Sequence, residues 1–200
     1  MRTEIPNVLL DACVVLPPQQ RNLLLQMASD ELFAVFWTDR IIGEWLRNVG
    51  IEDDRAKCEN RTVPLMRREF PNATLPLVTD DPIGTTDLND VHVARAALAV
   101  SPCILLTWNV RDFDLSALAE LDVEVITPDV FLTRLLDADP ALVEDATRRA
   151  MANLTRSAPT WSSYLEALER NGLTTFAERL HRLGRDDGAD LVTDIRPSGR

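Results

Sequence analysis

The chain has 200 residues, of which 46% are hydrophobic and 26% charged, a composition typical of a soluble globular protein with one sizeable domain and an appendage. Its formal net charge of −11 argues against a protein that coats nucleic acid by bulk attraction. The charge leaves open a protein that reaches a nucleic-acid backbone through bound cations. No run of about 18 apolar residues is present, so we expect no membrane span.

The three cysteines, Cys13, Cys58 and Cys103, show no CxxC spacing, and two of them fall in apolar, strand-like runs. We therefore expect them to be reduced residues of a cytoplasmic protein. Only two histidines are present, which excludes a histidine-rich zinc site. The acid Asp11 inside the N-terminal apolar stretch argues against a secretory signal.

The first part of the chain alternates between strand and helix patterns. Residues 8–15 (VLLDACVV) form a continuous apolar run whose length and β-branching predict a strand buried on both faces. A helical pattern over 19–29 leads to a second predicted buried strand, 32–37 (LFAVFW). Thr38 can cap the next helix, and residues 51–72 predict one or two surface helices.

The alternation continues in the next segments. The predicted elements are, in order, a short strand within 75–82, a helix over 87–98, a strand at 103–107, a short helix near 115–120, a strand at 123–126 and a helix that starts at Thr127. Because strands and helices alternate, we expect an α/β fold with a mostly parallel sheet flanked by helices.

Past Asp137 no strand pattern remains. Three helices are predicted there, over residues 140–155, 160–170 and 173–183. The final residues lack periodicity and predict a flexible tail. We therefore divide the chain into an α/β domain (1–136), a helical C-terminal extension (137–185) and a tail (186–200).

Two aspartates open the helix predicted over 87–98 (DLNDVHVARAAL), and they allow two interpretations. Asp87 is a good N-cap, and Asp90 would then occupy the third helical position, where a negative charge suits the helix dipole. However, Asp90 is in line with Val93 and Ala94 on the apolar stripe, so we expect it at the top of the buried face. A charge there is costly unless it is paired or bound to a metal ion.

Four acids are predicted to converge at the carboxyl ends of the strands, where open α/β sheets bind ligands: Asp11, Glu44, Asp90 and Asp112. In the predicted first strand, burial of an ionised Asp11 without a partner costs free energy. Glu44 alone also fits a solvated helix residue, and Asp112 alone a turn residue. A pocket of three or four carboxylates needs cations, and oxygen ligands without histidine or thiolate select Mg²⁺ or Mn²⁺. Such a site suits phosphodiester hydrolysis.

Five segments spanning roughly residues 5 to 136 occur in a recognisable order: LLDACVV, IIGEWLRN, DLNDVHVARAA, LLTWNVRDF and VEVITPDVFL. Together they resemble the PIN-domain nucleases, in particular the VapC-type ribonuclease toxins of bacterial toxin–antitoxin pairs. The resemblance implies a PIN-like fold, metal-dependent endonucleolytic cleavage of RNA, a homodimer and a cognate antitoxin. It places the family's metal-binding, catalytic acids at Asp11, Glu44 and Asp90, with the fourth acidic position at Asp112.

One position departs from the family pattern. Many members have an aspartate where this chain has Asn109. In this chain, Asp112 would take over the role of that aspartate. The residues predicted to support the site or contact RNA are Thr107, Asn109, Arg111 and Arg47. Trp108 would either stack a base or lie in the core, and His92 is interpreted as a helix or interface residue.

The main alternative is a catalytically silent PIN-like fold that acts as a binding or assembly module. Asn109 favours this alternative, whereas the joint presence of Asp11, Glu44 and Asp90 opposes it. A haloacid-dehalogenase-like phosphatase is unlike this chain, because Cys13 stands where such an enzyme needs a second aspartate. The sequence has neither a glycine-rich nucleotide loop nor a GxSxG motif.

Overall fold

The computed structural model describes residues 5–76, 79, 81, 83 and 88–189, with side chains described as far as residue 183. Its described strands are β1 (Asn7–Leu10), β2 (Ala34–Thr38), β3 (Thr74–Leu75), β4 (Cys103–Leu106) and β5 (Val123–Ile126). They form one parallel sheet in the order β3-β2-β1-β4-β5. The predicted α/β class, with a mostly parallel sheet flanked by helices, is confirmed.

Helices follow the strands and continue after the last one. The described helices of the first part are α1 (Ala12–Val15), α2 (Pro18–Ser29), α3 (Asp39–Asn48), α4 (Glu52–Lys57), α5 (Val63–Glu69), α6 (Val91–Ala99) and α7 (Leu115–Ala119). The C-terminal helices are α8 (Pro128–Ala138), α9 (Pro140–Ala152), α10 (Trp161–Arg170) and α11 (Thr174–Ala189). A π-helical turn, Cys58–Thr62, joins α4 to α5, and 3-10 turns cover Leu88–Asp90 and Val110–Asp112. Within the described residues, no helix is both long enough and apolar enough to cross a membrane.

The first strand is shorter than the sequence predicts. The prediction of one strand over residues 8–15 is wrong, because β1 ends at Leu10 and α1 begins at Ala12. The physical reason is Asp11, whose carboxylate accepts a hydrogen bond from the Ala12 amide at 2.6 Å and caps the short helix. Asp11 therefore lies at the carboxyl end of β1, not inside a strand.

The order of the strands reverses at β1, in the centre of the sheet. β1 pairs with β2 on one side and with β4 on the other, so strands 2 and 3 lie to one side and strands 4 and 5 to the other. Such a point is the topological switch point of an open α/β sheet, where ligands bind at the carboxyl ends of the strands. Asp11 follows β1 and Thr107 follows β4, so both lie at the switch point.

The sheet and the C-terminal helices share one hydrophobic core. Leu105 of β4 and Ala146 of α9 are both fully buried and belong to the same cluster of apolar side chains. Helix α9 packs on α2, where Asn22 Nδ2 donates a hydrogen bond to the carbonyl oxygen of Ala150 at 2.6 Å.

The predicted segment boundaries fall inside helices. The division after residue 136 lies within α8, and α11 continues to Ala189, past residue 186 where the tail was expected to begin. The sequence missed these turns of α11 because the residues after 183 lack an apolar stripe. Residues 190–200 of the predicted tail lie outside the described residues.

Candidate active site

Asp11 is a buried carboxylate, with 6% of its surface exposed. Its Oδ1 accepts from the Ala12 amide at 2.6 Å, and its Oδ2 accepts from the Thr107 hydroxyl at 2.7 Å and from the Cys13 thiol at 3.2 Å. All three partners are uncharged, so they solvate the carboxylate without neutralising it. A buried charge with this environment favours a nearby cation.

The loop after β4 is hydrogen-bonded to Asp11 and to α1, which follow β1. The hydroxyl of Thr107, which is fully buried, donates to Asp11 and accepts from the amide of Asn109 at 3.0 Å. The amide of Trp108 donates to Cys13 Sγ at 3.4 Å. Burial and the adjacent Asp11 carboxylate raise the pKa of Cys13 to about 12, so this residue is a neutral thiol near pH 7.

Glu44 lies on α3 among basic groups. Its Oε1 is 2.9 Å from Nε2 of His92, 3.4 Å from Nε of Arg40 and 3.8 Å from Nη2 of Arg47. The two arginines reach it because residues three and four positions apart are neighbours on a helix surface. The side chain of Glu44 is 26% exposed, whereas that of His92 is only 2% exposed.

His92 of α6 lies close to Glu44 of α3. Neither of its ring nitrogens has a hydrogen-bond partner of suitable geometry among the described groups, although Nε2 lies 2.9 Å from Oε1 of Glu44. Burial and, to a smaller extent, the positive charge of Arg40 lower the pKa of His92, and together they outweigh the opposing effects of the Glu44 carboxylate and, more weakly, the Asp11 carboxylate. His92 is therefore a neighbour of the predicted site residue Glu44, which the sequence did not indicate. The available signal was its place on α6, two residues after Asp90.

Asp90 occupies a different position from the one that a cap at Asp87 implies. Asp87 lies outside the described residues, so its predicted capping role is not described. Helix α6 begins at Val91 after a 3-10 turn, which puts Asp90 at the cap position rather than at the third helical position. The half-buried Asp90 makes no side-chain capping bond to this helix.

Asp112 ends the 3-10 turn that follows Asn109. Its amide donates to the carbonyl oxygen of Asn109 at 2.9 Å, and its side chain is half-buried. Asn109 and Arg111 are exposed in the same loop. These three residues therefore share the segment that begins with Thr107 at the switch point.

The structure brings some of the predicted site residues together but not all of them. Asp11 contacts Thr107, and Glu44 contacts Arg47 as well as the unpredicted His92 and Arg40. Among the described side chains, no group of three or more His, Cys, Asp and Glu is close enough to hold a metal ion. The chemistry of Asp11 fits a hard cation, whereas Glu44 is engaged by basic side chains. The assignment of the four acids to a metal site stays a prediction.

The comparisons with known proteins concern the C-terminal helices. A family model described as the VapC50 C-terminal domain matches residues 128–182, from the first residue of α8 into α11. Neither the comparison with curated proteins nor that with solved structures gives a match. The matched segment includes none of the four predicted acids, but it agrees with the VapC-type resemblance of the residues before it. Residues 128–182 are thus similar to the C-terminal domain of VapC50.

Proposed function

We propose that the protein is a metal-dependent endoribonuclease and the toxin of a type II toxin–antitoxin pair. The observation that carries the proposal is Asp11, a buried carboxylate with neutral hydrogen-bond partners at the switch point between β1 and β4. Open α/β sheets bind their ligands at this position. The similarity of residues 128–182 to the VapC50 C-terminal domain supports a toxin of the VapC type.

Asp11, Glu44, Asp90 and Asp112 would hold Mg²⁺ or Mn²⁺. When bound, such an ion lowers the pKa of a water molecule and offsets the negative charge of the phosphodiester. Thr107 restricts the rotation of Asp11 by donating to its Oδ2. The buried His92 lies 2.9 Å from Glu44, and we assign Thr107 and His92 the role of orienting these two acids.

Exposed arginines would contact the RNA. Arg47 has 69% of its side chain exposed and lies 3.8 Å from Glu44, and Arg111 is exposed in the loop that carries Asp112. Guanidinium groups bind phosphate oxygens well. Because the net charge of the chain is −11, we expect RNA binding to depend on such local contacts and on the cation.

The VapC-type similarity also supports the proposed partners. A cognate antitoxin protein would inhibit the enzyme, and the toxin would act on cytoplasmic RNA as a homodimer. A catalytically silent binding or assembly module is the second candidate. It is favoured by Asn109 and by the lack of a preformed metal-binding group among the described side chains.

The test is RNA cleavage with Mn²⁺, with and without excess chelator, by the wild-type protein and by Asp11→Asn. We expect the substitution to reduce cleavage by more than about 100-fold, because the loss of even an outer-shell partner of a metal ligand costs about 10- to 100-fold. The melting temperature of Asp11→Asn should be at least as high as that of the wild type, since the substitution removes a buried charge.

The matched control is Asp139→Asn, because Asp139 is also an N-cap aspartate but caps α9. This variant should cleave like the wild type, since asparagine caps helices as well as aspartate. Full activity of Asp11→Asn, or activity in excess chelator, would contradict the mechanism. A wild-type protein that neither cleaves RNA nor binds Mn²⁺ would establish the silent module.

A further inference from the structure

The turn between α10 and α11 contacts the loop that follows β4. A Cβ atom placed on Gly172 would lie 2.9 Å from Cη2 of Trp108, and 3.3 Å from both Cζ2 and Cζ3 of the same ring. Carbon atoms that are not bonded pack at about 3.5–4.0 Å, so no side chain fits at this position without displacing the ring. The edge of the Trp108 indole therefore packs directly on the backbone of Gly172.

Gly172 also has a conformation that favours glycine. Its φ is +89°, in the left-handed region. Its amide donates to the carbonyl oxygen of Glu169 at 2.8 Å. The amide of Leu173 donates to the carbonyl oxygen of Leu168 at 3.0 Å. This is the hydrogen-bond pattern of a Schellman motif with Gly172 at the residue after the C-cap of α10. Two independent features thus require glycine here.

The turn is held in place from its other side. The carboxylate of Asp129, in the first turn of α8, accepts hydrogen bonds from the amides of Thr175 and Phe176 at 3.2 and 2.9 Å. Leu173, between Gly172 and α11, is fully buried. Since α8 follows β5 directly, the position of Gly172 is fixed relative to the sheet.

Trp108 connects this turn to the candidate active site. Its backbone amide donates to Cys13 Sγ, and the residue before it, Thr107, donates to Asp11. The ring that packs on Gly172 and the backbone that carries these contacts therefore belong to one residue and its neighbour. The C-terminal helices thus reach Asp11 through Gly172, Trp108 and Thr107.

We propose that Gly172 is a positioning residue of the active site: its contact with Trp108 lets the C-terminal helices hold the loop after β4, so that Thr107 meets Asp11. The effect on catalysis rests on the proposed function. The positioning of the loop itself does not, so the two are measured separately.

The experiment compares Gly172→Ala, Trp108→Phe and the double variant with the control Gly50→Ala. A Cβ atom placed on Gly50 would have no atom of another residue within 4 Å, apart from its chain neighbours. The first readout is the labelling rate of each cysteine in the folded protein, followed by mass spectrometry. Cys13 reports on the loop, while Cys58 and Cys103 serve as internal references. The second readout is the kcat of RNA cleavage with Mn²⁺.

We expect Gly172→Ala to label faster at Cys13 alone and to lower kcat between about 10- and 100-fold, since small misplacements of active-site groups cost this much. Trp108→Phe shortens the ring, so the double variant should recover part of both properties. Gly50→Ala should match the wild type. If Cys13 responds selectively but the wild-type protein does not cleave RNA, the positioning stands and the proposed function fails.

Two results would overturn the proposal. One is an unchanged labelling rate of Cys13 in Gly172→Ala. The other is an equal acceleration at all three cysteines, which would mean that Gly172 supports only the stability of the whole fold.

Discussion

Asp90 is a residue at a helix start that does not act as a cap. Because its side chain makes no capping bond to α6, Asp90→Asn removes no cap, and we expect it to cost the metal-free protein none of the about 0.5–2 kcal/mol that a lost cap costs. The rise in melting temperature caused by Mn²⁺ should shrink, because a neutral amide is a poorer ligand for a hard cation. Melting curves with and without Mn²⁺ measure both effects.

The control is Asp114→Ala, since Asp114 does cap its helix, accepting from the amides of Ser116 and Ala117 at 3.1 Å. This variant should lose about 0.5–2 kcal/mol of stability and keep its full response to Mn²⁺. The metal-site assignment of Asp90 is refuted if Asp90→Asn keeps the full rise in melting temperature caused by Mn²⁺, as Asp114→Ala should.

At the residue scale, the sequence singles out the acids but does not show which groups contact them. A continuous apolar run gives no sign that Asp11 ends a strand and caps a helix of one turn. The approach of His92 to Glu44 joins residues far apart in the chain, and depends on how α3 and α6 pack. Such contacts depend on tertiary structure, and the local periodicity of the sequence does not predict them.

At the scale of elements, α3 shows how a single cap affects the helix that carries Glu44. Thr38 Oγ1 accepts from the amide of Ile41 at 3.2 Å, as the sequence predicts. We expect Thr38→Ala to lower the free energy of unfolding by about 0.5–2 kcal/mol, and Thr38→Ser to lower it less, because serine retains the hydroxyl. Urea unfolding measures the difference. Equal losses in the two variants would assign the effect to the buried methyl group instead.

Element boundaries were predictable where a side chain marks them. Thr38 and Thr127 both accept from the helix amides that their positions predict, and Pro128 opens α8. The third strand was less predictable: the described strand β3 covers Thr74–Leu75, whereas the predicted strand lies within residues 75–82, of which 77, 78, 80 and 82 are outside the described residues. Its pairing with the end of β2, which depends on distant residues, sets those two positions.

At the scale of the molecule, the shared core predicts that the C-terminal helices are needed for stability. Removing residues 140–200 would expose the face of α2 that packs on α9, and would break the ion pair of Arg149 with Asp30 at 3.0 Å. Each large apolar side chain exposed costs about 1.5–3 kcal/mol, against a total stability of about 5–15 kcal/mol. We therefore expect the truncated chain to lose cooperative thermal unfolding.

The truncation is followed by circular dichroism, with Asn22→Ala as a control that removes one hydrogen bond to Ala150. The control should unfold cooperatively and lose about 1 kcal/mol. A truncated chain that unfolds cooperatively near the wild-type temperature would instead support a separate domain ending near residue 136.

The sheet and its parallel strands were predictable at this scale, because alternation of strands and helices restricts topology strongly. The common core was not, since the apolar stripe of α9 does not reveal which surface it covers. The predicted division after residue 136 rests on the end of the strand pattern at residue 126, and residues from both sides of it belong to the common core.

The contact between Gly172 and Trp108 also has a consequence for the order in which the molecule is completed during synthesis. Every strand of the described sheet, and Trp108 itself, leaves the ribosome before Gly172 does. The loop after β4 therefore lacks its packing partner until the turn before α11 has emerged and docked. A growing chain that already contains Asp11, Glu44, Asp90 and Asp112 therefore has this loop fixed in place only after α10 and α11 have been synthesised and have packed.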